Sequence, residues 1–318
     1  MSRRTMVWAL ACALLALVGA PWIGPEGLQA RALLKGDPAE WNIFLELRVS
    51  RTLLALLAGG SLAAAGTVFQ ALLRNSLATP YTLGVSSGAA LGAVIAICLR
   101  LPGVSAYALA GGIAVLLLVL RLAGRGAPFS AHALILAGVS VTSVCGALIT
   151  ILHSYAGFSQ SFSITSWLIG GIDAVSFATL AWFAAAVVPV WVLLAWHAPA
   201  WNLLSFGDTW AEARGLPVKK FSVLGYLAGS WLAALTVSLT GPIGFIGLLV
   251  PHFVREAAGP DHRMLIPAAT LFGAAFLAAC DALGRTILSP SDIPAGVITA
   301  IVGGPGLVWI LSREQGGR

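Results

Sequence analysis

Ala178-Thr-Leu-Ala-Trp-Phe-Ala-Ala-Ala-Val-Val-Pro-Val-Trp-Val-Leu-Leu-Ala-Trp-His197 runs for 20 residues without an Asp, Glu, Lys or Arg. A bilayer core roughly 30 Å thick is crossed by about 20 apolar residues in a helix, so this stretch has the length and chemistry of a transmembrane span. Reading outward from it, apolar runs separated by charged or Gly/Pro breaks predict spans near 5–23, 48–72, 83–100, 104–122, 131–154, 178–197, 221–239, 244–257, 264–284 and 294–312. The eighth is too short to cross, which predicts a broken helix or one that starts below the surface.

Composition agrees. Of the 318 residues, 58% are hydrophobic and 9% charged, with a mean hydropathy of +0.92, more apolar surface than a single water-facing core could bury. Backbone polar groups in lipid must be satisfied within the segment. A barrel would alternate apolar and polar residues, and these runs do not. The expectation is an all-α, polytopic membrane protein of about ten helices, forming one transmembrane domain over 1–318. The start, Ser2-Arg3-Arg4 before the apolar run Met6 to Val18, imitates a secretory signal but is expected to remain as the first helix.

The net charge of +6 and pI of about 9.5 do not indicate nucleic acid, because the basic residues are scattered singly without stacking aromatics. They report topology instead. With the N-terminus inside, Arg3, Arg4, Arg74, Arg121, Arg125, Arg214, Lys219, Lys220, Arg255, Arg263, Arg313 and Arg318 fall inside, where Lys and Arg are retained. Arg31, Lys35, Arg48, Arg51, Arg100 and Arg285 are left outside, and an even number of spans returns the C-terminus to the cytoplasm. Two connections are long. The outer one, 24–47, carries Glu26, Asp37, Glu40 and Glu46 and is expected to be a partly ordered surface element. The inner one, 198–220, reads as short amphipathic helices broken at Gly207 and Gly215. Its Phe206, Trp210 and Leu216 need either an apolar partner or the membrane interface.

Gly84-Val-Ser-Ser-Gly88-Ala-Ala-Leu-Gly92 sets three glycines on one helix face. Such a face lets backbones approach closely in lipid, with Ser86 and Ser87 either bonding between helices or lining a pathway. The four cysteines fall in separate apolar segments and read as core residues. No metal site, phosphate-binding loop or catalytic nucleophile–base set is legible, so neither a cofactor nor ATP hydrolysis is expected of this chain. Ion-coupled transport would need a mid-membrane ionisable group. The candidates are Asp281, which an i to i+4 pair with Arg285 could neutralise, and His153 at a span end. Arg48 and Arg51, three residues apart on one face, either meet something anionic outside or snorkel to headgroups and pair with Glu46.

Arg48-Val-Ser-Arg51-Thr-Leu, Gln70-Ala-Leu-Leu-Arg-Asn75-Ser-Leu-Ala-Thr-Pro80, Leu83-Gly-Val-Ser-Ser-Gly-Ala-Ala-Leu-Gly92, Thr240-Gly-Pro-Ile-Gly-Phe-Ile-Gly-Leu-Leu-Val-Pro-His252, Gly259-Pro-Asp-His-Arg263 and Asp292-Ile-Pro-Ala-Gly-Val-Ile-Thr299 occur in this order. Together they resemble the FecCD/BtuC-type permeases of bacterial importers for siderophores, haem and cobalamin. The resemblance implies an inner-membrane subunit paired with a second copy, the pathway running along their interface. Two cytoplasmic ATPase subunits and a periplasmic or lipid-anchored substrate-binding protein are implied as partners. By the same resemblance, Arg48 and Arg51, with Arg285, would meet acidic residues of the binding protein. Ser205, Phe206, Gly207, Glu212, Ala213, Gly215 and Leu216 would form the element coupled to the ATPase, and 159–173 a gating segment. Gln70, Asn75, Gly84, Ser86, Ser87 and Gly88 would serve pathway or packing, and an iron chelate is the favoured cargo. Ser50 and Ser76 stand where the family usually has proline, which relaxes the backbone at both helix ends. An ion-coupled secondary transporter is the alternative.

Overall fold

The computed structural model describes residues 2–24, 37–124, 131–288 and 291–316, and these form thirteen helices with short turns between them. In chain order they are α1 (Ser2–Gly19), α2 (Pro38–Leu73), α3 (Val85–Cys98), α4 (Val104–Ala123), α5 (Ala131–Tyr155), α6 (Phe158–Ile169) and α7 (Phe177–Trp196). They continue with α8 (Ala198–Phe206), α9 (Asp208–Ala213), α10 (Val218–Thr240), α11 (Ile246–Ala258), α12 (His262–Ile287) and α13 (Ala295–Gly316). All but α6, α8 and α9 coincide with the ten predicted spans. Seven segments are long and apolar enough to cross a membrane, whereas α3, α11 and the apolar part of α13 are shorter.

The second span departs from expectation. It starts ten residues early, at Pro38, where Asp37 caps the helix by accepting from the Ala39 N–H at 3.0 Å and proline occupies the first position. It passes through a π-helical stretch, Ile43–Val49, and ends where Arg74 turns left-handed at φ 50°. Part of the predicted outer loop is therefore helix; Glu26, Arg31 and Lys35 lie outside the described residues. The helix runs unbroken through position 50. Ser50, where proline would remove the donor, bonds back through its N–H to the Leu45 and Leu47 carbonyls and through its hydroxyl to that of Glu46.

Burial sorts the helices into a centre and a shell. Within the apolar windows, 83% of α2, 72% of α10 and 67% of α12 are buried, against 17% of α1 and 22% of α5 and α7. In lipid, apolarity alone gives no drive inward, so close backbone packing decides the arrangement. A side chain at Gly66 of α2 would begin 2.0 Å from the Gly247 carbonyl of α11, and one at Gly88 of α3 would begin 2.6 Å from the Gly111 carbonyl of α4. Glycine at these places lets the helices cross backbone against backbone. The shell presents Trp8, Leu15, Val144 and Trp182 outward, as a lipid-solvated surface requires. Between α10 and α11 the chain breaks at Gly241 (φ 65°) and Phe245 (φ 69°), and α11, with 13 residues, rises about 20 Å. It starts below the surface, within the bundle.

Candidate functional site

At one end of the bundle, two of the arginines predicted to lie outside, Arg51 and Arg285, meet two carboxylates. Arg51 donates through Nε to Asp281 at 3.0 Å and through Nη1 to Asp292 at 2.8 Å. Arg285 Nε lies 3.2 Å from the other Asp281 oxygen, and its Nη2 donates to the Ala20 carbonyl at 3.3 Å. Arg48 packs its guanidinium over Gly24. Arg48 is only 8% exposed and Arg285 4%, whereas the Arg51 side chain is 17% exposed. The anionic group that meets Arg51 here belongs to its own chain. Asp281 is 1% exposed, so its charge is tolerable only because two guanidiniums compensate it. The i to i+4 pair with Arg285 was legible in the sequence; the tie to Arg51, 230 positions away, was not.

Beside this cluster opens a cavity of about 510 Å³, bordered by Arg51, Phe162, Ser166, Trp167, Asp173 and Asp292. The predicted gating segment forms its wall: 158–169 is helical, and at Gly170 (φ 75°) the chain turns so that the Gly170 carbonyl accepts from Gly296 N–H and Gly171 N–H donates to the Thr240 carbonyl. His153 is satisfied by Ser161 at 2.7 Å, which ties α5 to α6.

Sequence reasoning missed a stripe on α5. Ser140, Ser143, Thr150 and Ser154 are all exposed on this spanning helix. Their hydroxyls donate to the Leu136, Val139, Gly146 and Ile151 carbonyls at 2.8 to 3.0 Å, leaving oxygen lone pairs to accept from outside. Their spacing was the available signal. Ser86, by contrast, is buried and Ser87 half-buried. Gly84 and Gly88 pack against α5 and α4, where a side chain at Gly84 would begin 3.0 Å from the Gly138 carbonyl.

At the opposite end, buried Gln70 accepts from Arg255 at 2.6 Å and donates to the Gly247 and Leu248 carbonyls at 3.4 and 3.3 Å. Exposed Asn75 caps the next turn by accepting from Leu77 N–H at 2.9 Å. The inner connection is two helices, α8 and α9, jointed at Gly207 (φ 126°) and closed by Gly215 (φ 79°). Phe206 is 76% and Trp210 56% exposed. Their rings lie 6.2 Å apart, and the Arg214 guanidinium sits 4.6 Å over Trp210. Ser205, Glu212, Ala213 and Gly215 are exposed around them; Leu216 is half-buried against the core. The pair is held from below by fully buried Trp201, whose indole N–H donates to the Leu194 carbonyl at 2.8 Å.

The model of the FecCD transport family matches residues 6–313, and this chain belongs to that family: it is a permease of the ABC-importer type, not an enzyme. Among its relatives, the vitamin B12 import system permease protein BtuC of Salmonella typhi is 37% identical over 98% of this chain and 97% of its own length. The Salmonella typhimurium BtuC is equally similar. An ABC transporter of the metal-chelate type, solved in an inward-facing conformation, superposes with a TM-score of 0.87 at 28% identity over 98% of this chain and 99% of its own. PsaBC from Streptococcus pneumoniae shares the fold at a TM-score of 0.58 and 18% identity, over 87% of this chain and 94% of its own.

Proposed function

We propose that this permease pairs with a second copy of itself and carries a large metal chelate inward across the bacterial inner membrane, with both termini cytoplasmic. Cobalamin is the first candidate cargo, because full-length relatives carry that name; an iron siderophore or haem is the next. Two ATPase subunits supply the energy from the cytoplasm, and a substrate-binding protein delivers the cargo outside.

The observation that carries this reading is the exposed Phe206–Trp210–Arg214 cluster on a helix pair anchored by buried Trp201. An apolar patch on a rigid mount, outside the spanning region, is built for a protein partner. Ser205, Phe206, Gly207, Glu212, Ala213, Gly215 and Leu216 form that ATPase-facing element. At the other end, Arg51 is the cation an acidic binding-protein surface reaches first, with Arg48 and Arg285 behind it. The hydroxyls of α5 and the cavity beside Trp167 line the route, gated by 159–173. An ion-coupled mechanism is disfavoured because Asp281 is held between two guanidiniums.

The test is reconstitution in lipid with ATPase and binding-protein subunits. ATP-dependent accumulation of labelled cyanocobalamin, absent from the chain alone, supports the full reading. Accumulation of a ferric siderophore or haem instead moves the cargo and keeps the mechanism. Uptake that follows a proton or sodium gradient without ATP overturns it.

A further inference from the structure

Gly259-Pro-Asp-His-Arg263 links α11 to α12, and two of its residues, Asp261 and His262, are bonded by one side chain, Asn202 of α8. The Asn202 carbonyl oxygen accepts from the backbone N–H of His262 at 2.9 Å and from its Nδ1 at 2.7 Å; the Asn202 amide donates to Asp261 Oδ1 at 2.7 Å. That same Asp261 oxygen accepts from the Arg263 N–H at 3.0 Å and caps α12. One planar amide therefore closes the first turn of α12 from outside, using both its donor and its acceptor side. The neighbouring link, Arg74 to Asp208 at 3.2 Å, joins groups that are 36% and 39% exposed, where an ion pair holds weakly. His262 is 3% exposed, so the Asn202 clamp is the better shielded of the two.

The helix so gripped is α12. At 26 residues it is about 39 Å long, and its far end carries Asp281 and Arg285, both locked into the outer ion cluster. One helix thus carries a polar network at each end.

We infer that α12 is the rod connecting the ATPase-facing helices with the outer face, and that Asn202 is the positioning residue that fastens them to it. This rests on the reading of α8 and α9 as the coupling element. Motion of these helices would pull on the first turn of α12 through hydrogen bonds and not through exposed charge.

A control at the neighbouring link separates fastening from general loosening. Asn202→Ala removes the clamp. Arg74→Gln instead removes the exposed ion pair to Asp208 and leaves the clamp intact. Spin labels at Glu212 and Leu283, in the chain alone in lipid nanodiscs, report whether α9 and the far end of α12 keep one distance. A single narrow distribution is expected for the parent and for Arg74→Gln, and a broadened one for Asn202→Ala. An unchanged distribution in Asn202→Ala, or one equally broadened in Arg74→Gln, overturns the inference, whatever partners the chain has. In the complex with ATPase and binding protein, the ratio of ATPase rates with and without docked binding protein should fall about fivefold or more in Asn202→Ala, within the ordinary range of coupling between sites, and stay near the parental value in Arg74→Gln. An Asn202→Ala complex that keeps the parental ratio also overturns the inference. A parent complex with no stimulation counts against the importer reading, and the spin-label result then decides the clamp by itself.

Discussion

The two ends of α12 solve one problem by opposite means. At the Asp281 end, full charges are taken out of water and must be balanced: Asp281, 1% exposed, lies between Arg51 and Arg285. At the Asn202 end, a neutral amide and a histidine do the joining, and the carboxylate involved, Asp261, stays exposed at the helix cap. Removing one partner from a buried ion set strands full charges, whereas removing Asn202 strands only neutral donors at buried His262 and frees the exposed Asp261. The ion cluster is thus suited to holding a fixed geometry, and the amide clamp to transmitting a motion that must reverse.

The largest expected effect tests the first half of that contrast. Asp281→Asn leaves two guanidiniums facing each other and should destabilise the chain by about 3–5 kcal/mol, read as a lowered unfolding midpoint in detergent; a loss below about 1 kcal/mol would mean the cluster is already hydrated. Asn202→Ala should cost less, about 1–3 kcal/mol for the groups it leaves unsatisfied, by the same measurement. Asp292→Asn removes the 42% exposed partner of Arg51 and should cost about 0–1 kcal/mol. If its cost equals that of Asp281→Asn, the exposed and buried carboxylates are equivalent and the contrast fails.

The smallest effect is in pH. Asp261 is held below the usual carboxylate range by the Asn202 amide and then by the Arg263 backbone N–H. A depressed folded value stabilises the clamp above the ordinary Asp value of about 3.9, and that contribution is lost as pH falls through the lower folded value. Protection of the Arg263 amide, its exchange rate relative to that of the unfolded chain at the same pH, should therefore hold from neutral pH down to about 4 and fall below it. A step between pH 5 and 7 would assign the clamp to a different titrating group.

Much of the fold was legible because lipid imposes a length: ten apolar runs became ten helices, with the eighth short as its Gly and Pro residues required. The early start of α2 was hidden because its cap, Asp37 on the Ala39 N–H with Pro38 in the first turn, precedes the apolar run that marks the span. The exposed aromatic pair at Phe206 and Trp210 was also legible, since an amphipathic helix in an inner loop has to be covered by something.

What the sequence by itself determined is the set of helices and the chemistry available at their ends, because periodicity, apolar length and Gly/Pro breaks act locally. Only the tertiary structure decided that Arg51 reaches Asp281 across 230 positions, that Arg48 and Arg285 are buried, and that Asn202 grips Asp261 and His262. Those pairings join residues on separate elements; for Arg51 and Asp281 these are α2 and α12, whose backbones cross where Gly59 meets Gly273.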